Sequence, residues 1–282
     1  VTVQAAPPCR LLGPSDRAAI ARLLDADPVS TIFVAARIAS AGLEAVCRVG
    51  ELWGYEEDGE LVSLCHAGAN LVPVAATPAA LRAFAWRAAR AGRRCSSVVG
   101  PASMVLPLWD LLRPHWGPAR EVRPNQPVLV TDRVGPVPPD PQVRLVQPEE
   151  IPVLLPAAIA MFREEVGVDP RADGGDALYR ARVAELVHGR RAYARMRGGQ
   201  VLFKADIGCV APQVCQVQGV WVDPPWRGRG LSEPGMAAVL AHALAEHAPL
   251  VTLYVNDYNE RARAAYAAVG FTEVGRFATV LF

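Results

Sequence analysis

The chain has 282 residues, 51% of them hydrophobic, enough to bury two modest cores and too apolar for a disordered segment. Its 29 basic and 28 acidic residues leave a formal charge of +1, which argues against a general nucleic-acid surface. No apolar run approaches the ~20 residues of a membrane span, no signal peptide is apparent, and the six scattered cysteines lack metal-ligand spacing, so we expect a cytoplasmic protein without metal and with buried, unpaired thiols.

In the N-terminal half, Ser15 to Ala26 reads as a capped helix. WGYEEDGELVSLCHAGANLVPV supplies two or three strands, and Thr77-Pro78 opens a helix with Leu81, Phe84 and Ala88 on one face. SSVV predicts a strand, Met104 to Leu112 a helix, and EVRPNQPVLV (121–130) a closing strand. DRVGPVPPDP (132–141) is rich in proline and has no apolar period, as an extended linker between domains would.

The C-terminal half repeats this order more clearly. VRLVQ (143–147) is a strand, and Pro148 to Val166 a helix through Ile151, Leu154, Leu155, Ile159 and Phe162. A second helix runs from about Asp176 to His188, followed by two strands about a Gly-Gly turn in RAYARMRGGQVLFKADIG. QVQGVWV (216–222) is a third strand; after the loop that follows it comes a helix with Met236, Val239, Leu240, Ala243 and Leu244 on its apolar side. VTLYV (251–255) is a strand, Asn259 to Val269 a helix ended by Gly270, and FTEVGRFATVLF a final strand resembling the end of the first half. This is an α/β order, and its echo predicts an internal duplication.

The loop VDPPWRGRGLSEPG (222–235) carries the chemistry. Gly228 and Gly230 admit backbone angles closed to other residues and let a ligand approach the main chain. The free N–H groups of the helix start form an anion site, and Arg227 and Arg229 add charge-assisted hydrogen bonds suited to a pyrophosphate. A solvated turn with arginines facing water is the bland alternative. The loop is not a P-loop, since GxxxxGK[ST] is absent.

Arg227-Gly228-Arg229-Gly230-Leu231-Ser232 resembles the Q/R-x-x-G-x-G/A loop of the GNAT acyl-CoA-dependent N-acetyltransferases, departing only at Ser232. Downstream, Asn259, Ala262, Tyr266, Gly270 and Phe271 fill every fixed position of that family's N-x-x-A-x-x-x-Y-x-x-x-G-F. The resemblance covers 143–282, and the whole chain resembles two-domain actinobacterial members. It implies tandem GNAT-like folds, each a mixed, mostly antiparallel sheet with helices on both faces. Residues 1–131 would be a divergent domain without a CoA loop, 132–141 the linker, and 142–282 the domain that binds acetyl-CoA and transfers its acetyl group to a primary amine.

By the same resemblance Val220, Trp221 and Val222 would pair with the pantetheine arm. Tyr266 would be the general acid for the leaving thiolate, with a structural core tyrosine as the alternative. Asn259 either bonds the cofactor or caps its helix. Gln216 stands where many members carry a glutamate base, and it cannot take a proton. Either the amine arrives already neutral or another carboxylate acts, with Glu164, Glu165 and Asp206 as the candidates, although Asp206 lies two residues from Lys204, the only lysine in the chain, and an ordinary ion pair is the plainer reading. The N-terminal domain is expected to bind no CoA and to shape the acceptor side, mediate a homodimer or stabilise its neighbour. A non-catalytic acyl-CoA-binding protein is the alternative function, and the acceptor stays open.

Overall fold

Alternating and helical apolar patterns follow one another along the chain, and each folds as its period dictates. The computed structural model describes Cys9–Phe282, apart from the side chain of Asp173. The first residues of the expected N-terminal domain lie outside the described residues. Two units result: one takes in the described residues up to Val128 with Tyr254–Tyr258 and Glu273–Phe282, the other Leu129–Leu253 and Asn259–Thr272.

The first half of the chain contains β1 (Cys9–Leu11), α1 (Arg17–Ala26), α2 (Ile32–Ala41), α3 (Leu43–Val49), β2 (Glu51–Glu57), β3 (Glu60–Ala67), β4 (Asn70–Val74), α4 (Pro78–Ala91), β5 (Ser97–Pro101), α5 (Ala102–Trp116) and β6 (Glu121–Thr131). Strands β1 to β5 lie in sequence order, antiparallel except for the parallel pair β4/β5. Asp58 and Gly59, both at positive φ, make the tight β2–β3 turn. Alternation along the strands splits the core between two faces. Trp53, Cys65, Leu71 and Val98 pack under α4 and α5, while Leu52, Leu64 and Val72 pack under α1 to α3. Helices α2 and α3 have no counterpart in the sequence reading. Both are short, ten and seven residues, and neither start carries a side-chain cap, so the sequence gives few start signals for them.

The second half contains β7 (Val143–Leu145), α6 (Ile151–Val166), α7 (Asp176–His188), β8 (Ala192–Arg197), β9 (Gln200–Val210), β10 (Cys215–Val222), α8 (Ser232–Glu246), β11 (Val251–Tyr254), α9 (Glu260–Ala268) and β12 (Thr272–Leu281). Its sheet order is β11-β10-β9-β8-β7, antiparallel except for parallel β10/β11. α6 and α7 cover one face, with Leu154, Leu155, Ile159, Val183 and Val187 on Ala192, Ala194 and Trp221. α8 covers the other: the Tyr193 ring stacks on His242, and Phe203 lies so close to Gly235 that a Cβ there would come within 2.9 Å of the ring.

Two details depart from the expected limits of 142–282. The last strand pairs with the first unit, Phe277–Leu281 against Pro101–Ser97 of β5, because its Ala278 and Val280 belong to the core under α4 and α5. The proline-rich stretch 132–141 carries neither helix nor strand, yet it is fastened to the second unit. Asp140 accepts from Arg195 Nη1 at 2.7 Å and its N–H donates to Pro234 O, while Gly135 backs onto Val269 with no room for a Cβ. No helix among the described residues is long and apolar enough to cross a membrane.

Candidate functional site

The expected cofactor strand, β10, is irregular where the resemblance places the pantetheine arm. β10 pairs with β11 at Cys215↔Val251 and Gln216↔Thr252, at the start of both strands. Further along, β10 shifts register against β9 between Gln218 and Trp221, at Gly219, whose φ is +59°. Trp221 is buried in the core under α6, and Val220 and Val222, one residue to either side, are half-buried. Alternation therefore puts the two valines on the face opposite the indole.

Beyond β10 the chain turns through Pro224–Trp226 into the Arg/Gly loop. Gly228 and Gly230 sit at φ +73° and +72°, and a Cβ built on either would meet nothing within 4 Å. Glycine is needed there for the backbone angle and not for packing, so the main chain lies open to an outside ligand. The α8 N-terminus has no side-chain cap, and among the described residues none accepts from the N–H groups of Gly230, Leu231, Ser232 or Glu233. Four uncommitted donors and the positive end of a fifteen-residue helix converge there. The departure at Ser232 leaves this geometry intact, because Ser232 is the first residue of the helix proper.

The two arginines differ. Arg229 lies over the Trp226 ring at 4.9 Å and keeps its charge at the exposed loop. Arg227 turns back: Nε donates to Val222 O at 3.0 Å and Nη2 to Glu164 Oε2 at 2.6 Å. Glu164 Oε1 accepts from the Trp221 indole at 3.1 Å, so one carboxylate ties the end of β10, the loop and α6 together. No spacing rule connects Glu164 to Arg227, and the sequence carries no signal for this link.

Tyr266 stands on α9, only 7% exposed, with its ring 6.1 Å from Phe271. Burial pushes its phenol well above the ordinary value, and the Glu165 carboxylate raises it further. The hydroxyl thus holds its proton, as a general acid must, and Glu165 is within electrostatic reach of it. Asn259 caps α9, its Oδ1 accepting from Ala262 N at 3.2 Å. Asp206 is buried and bound to Lys204 Nζ at 2.5 Å; buried Gln216 accepts from Gln218 Nε2. Of the three candidate bases, Glu164 and Asp206 are each committed to a cation, and Glu165 is the one brought toward Tyr266. Cys209 Sγ accepts from Gln218 Nε2, and Cys215 stands opposite Val210 and not opposite Cys209.

The equivalent place in the first unit is built differently. β4 and β5 also begin with a parallel pairing, Asn70↔Ser97 and Leu71↔Val98. There the strand passes to α4 through three residues, Ala75 to Thr77. Thr77 Oγ1 accepts from Ala80 N, Thr77 N donates to Ser63 Oγ and Ala76 N to Met104 Sδ. The donors that α8 leaves open are consumed by the protein itself at α4.

Two family models match the chain. Residues 189–271 match the model of the acetyltransferase (GNAT) family, and residues 50–154 a domain of unknown function (DUF4081). No curated protein matches the chain. Among solved structures, a GCN5-related N-acetyltransferase from Sphaerobacter thermophilus is 19% identical with a TM-score of 0.61, over 96% of this chain and 93% of that one. A GNAT-family acetyltransferase from Colwellia psychrerythraea is 11% identical with a TM-score of 0.58, over 97% and 99%. A tandem GNAT protein from the clavulanic acid biosynthesis pathway is 16% identical with a TM-score of 0.53, over 97% and 98%. At these identities the likeness is one of fold. The family match takes in the Arg/Gly loop and Tyr266, so the likeness to the acetyltransferase (GNAT) family lies in residues 189–271, in the C-terminal half of the chain.

Proposed function

We propose that the second unit binds acetyl-CoA and transfers its acetyl group directly to a primary amine. The observation that carries this reading is the stretch Gly228–Glu233, where two left-handed glycines with open space beside them lead into four N–H donors that have no acceptor among the described residues. A diphosphate matches such a cradle in charge and in donor geometry. Gly230, Leu231, Ser232 and Glu233 would hold it by their N–H groups, with Arg229 at its side and Gly228 shaping the turn. Arg227 would keep the loop on α6 through Glu164. Val220, Trp221 and Val222 offer main-chain groups to the pantetheine arm, and Asn259 fixes α9.

Acetyl-CoA supplies an activated thioester. The neutral amine attacks its carbonyl carbon, a C–N bond forms, the C–S bond breaks, and the departing sulfur takes the Tyr266 proton. The amine's surplus proton leaves to Glu165, directly or through water. Burial of Tyr266 supports its role as donor, because a phenolate is disfavoured there at neutral pH. Domain limits of 142–282 for the working part and a first unit that binds no CoA belong to the same reading. The self-satisfied start of α4 supports the latter.

The reading is tested by titrating the protein with acetyl-CoA and then measuring thiol release across a panel of primary amines. Micromolar binding with amine-dependent thiol release is expected. Binding with no release from any amine would favour a non-catalytic acyl-CoA-binding protein, and no binding would remove the proposal.

A further inference from the structure

Lys204 is the only lysine in the chain and is wholly buried, which is a costly place for an ammonium unless its partners are well placed. Its Nζ donates to Asp206 Oδ2 at 2.5 Å and to the main-chain oxygen of Gly219 at 3.0 Å. Register explains the second bond. Gln218 stands opposite Asp206 and Trp221 opposite Lys204, so Gly219 and Val220 together face the single residue Ala205. With Gly219 at φ +59° this is a β-bulge of the type that begins with a left-handed glycine. The Gly219 carbonyl has left the ladder and needs another donor, and Lys204 is that donor. The fit is close: a Cβ on Gly219 would come within 2.9 Å of Asp206 Oδ2 and 3.0 Å of Lys204 Nζ and of Met161 Cε.

We infer that Lys204 is a positioning residue that locks this bulge and thereby sets which way Val220, Trp221 and Val222 face. Without the extra residue, Val220 would stand opposite Lys204 and every later side chain would change face. The indole of Trp221 would leave the core and Glu164, and the main-chain groups of 220–222 would exchange edges. Asp206 is then the counter-charge of the lock and not a base. The inference rests on the reading of 220–222 as the strand that pairs with the pantetheine arm.

The test uses the Lys204→Met/Asp206→Asn double variant, which removes both charges at similar volume and leaves no lone buried ion. Calorimetry compares two probes, CoA and 3′-phosphoadenosine 5′-diphosphate, which carries the diphosphate without the arm. The expected result is nucleotide affinity within twofold of wild type and CoA affinity at least tenfold weaker. Hydrogen exchange should be faster in the peptide 216–222. Gly219→Ala, which keeps the ion pair and displaces the bulge, should give the same split if the double variant does not fold. Unchanged CoA affinity would overturn the inference, as would a parallel loss for both probes. If the wild type binds neither probe, the acetyl-CoA reading fails by itself. Exchange in 216–222 then decides the lock, with unchanged protection overturning it.

Discussion

Tyr266 is the residue on which the proposed chemistry turns. Its burial disfavours the charged form, which keeps the phenol protonated for the donor role proposed for it. Tyr266→Phe should leave the acetyl-CoA dissociation constant within twofold and lower turnover by about 10²-fold or more, within the range of general acid catalysis. Calorimetry and thiol release read the two effects separately, and unchanged turnover would remove the acid role. Because the phenol is raised, the alkaline fall in turnover caused by Tyr266 should lie above the ordinary tyrosine range, and a fall centred at or below it must belong to another group. The motif around Tyr266 made it legible in sequence. Its nearness to Glu165 was not, because α6 and α9 are brought together only by the fold. The same holds for Arg227, whose residue type suggested phosphate and whose side chain is bonded to Glu164.

At the scale of elements, the contrast between the starts of α8 and α4 carries the assignment of function. Both helices follow a strand that begins with a parallel pairing, β10 with β11 and β4 with β5. α4 is entered through three residues and capped by Thr77, whereas α8 is entered through a longer loop with two left-handed glycines and no cap. Alanine at Gly228 and Gly230 is strained by about 1–2 kcal/mol at each position if the loop keeps its form. The exposed loop has room to relax instead, so the double variant should melt within a few degrees of wild type while CoA affinity falls at least tenfold. A melting curve beside a titration checks this, and full CoA affinity would mean the glycines do not shape the cradle. Strand and helix order in the C-terminal half was readable because its periods are clean and its turns carry Gly-Gly, Pro-Pro and Gly. α2 and α3 were not, since they are short and start without a side-chain cap, and the bulge at Gly219 was hidden inside an apparently regular strand.

For the molecule as a whole, acid stability reports on the first unit. His66 is 3% exposed, its Nδ1 has no hydrogen-bond partner, and burial together with Arg37 lowers its pKa to about 4. It is folded in its neutral form. As pH falls from about 6.5 to about 4, the unfolded chain takes up a proton that the folded chain refuses, so stability is lost through that window and levels off below it. The full effect is on the order of a few kcal/mol. His66→Gln should flatten the slope in urea denaturation between pH 7 and pH 4, and an unaltered slope would show that other groups carry it. The duplication was visible in the sequence as two similar endings, EVRPNQPVLV and EVGRFATVLF. What it did not reveal is that the second ending pairs with β5 of the first unit, because β-strands of like composition do not name their partners.

The central claim is that one diphosphate cradle, at the start of α8, binds acetyl-CoA, and that its counterpart at α4 is closed. Calorimetric titration of the intact chain with acetyl-CoA, counting sites, tests this most directly. The account predicts one site per chain, lost when Gly228 and Gly230 are both alanine and unaffected by Thr77→Ala. Two sites per chain, or a single site that survives in the glycine variant, would contradict it.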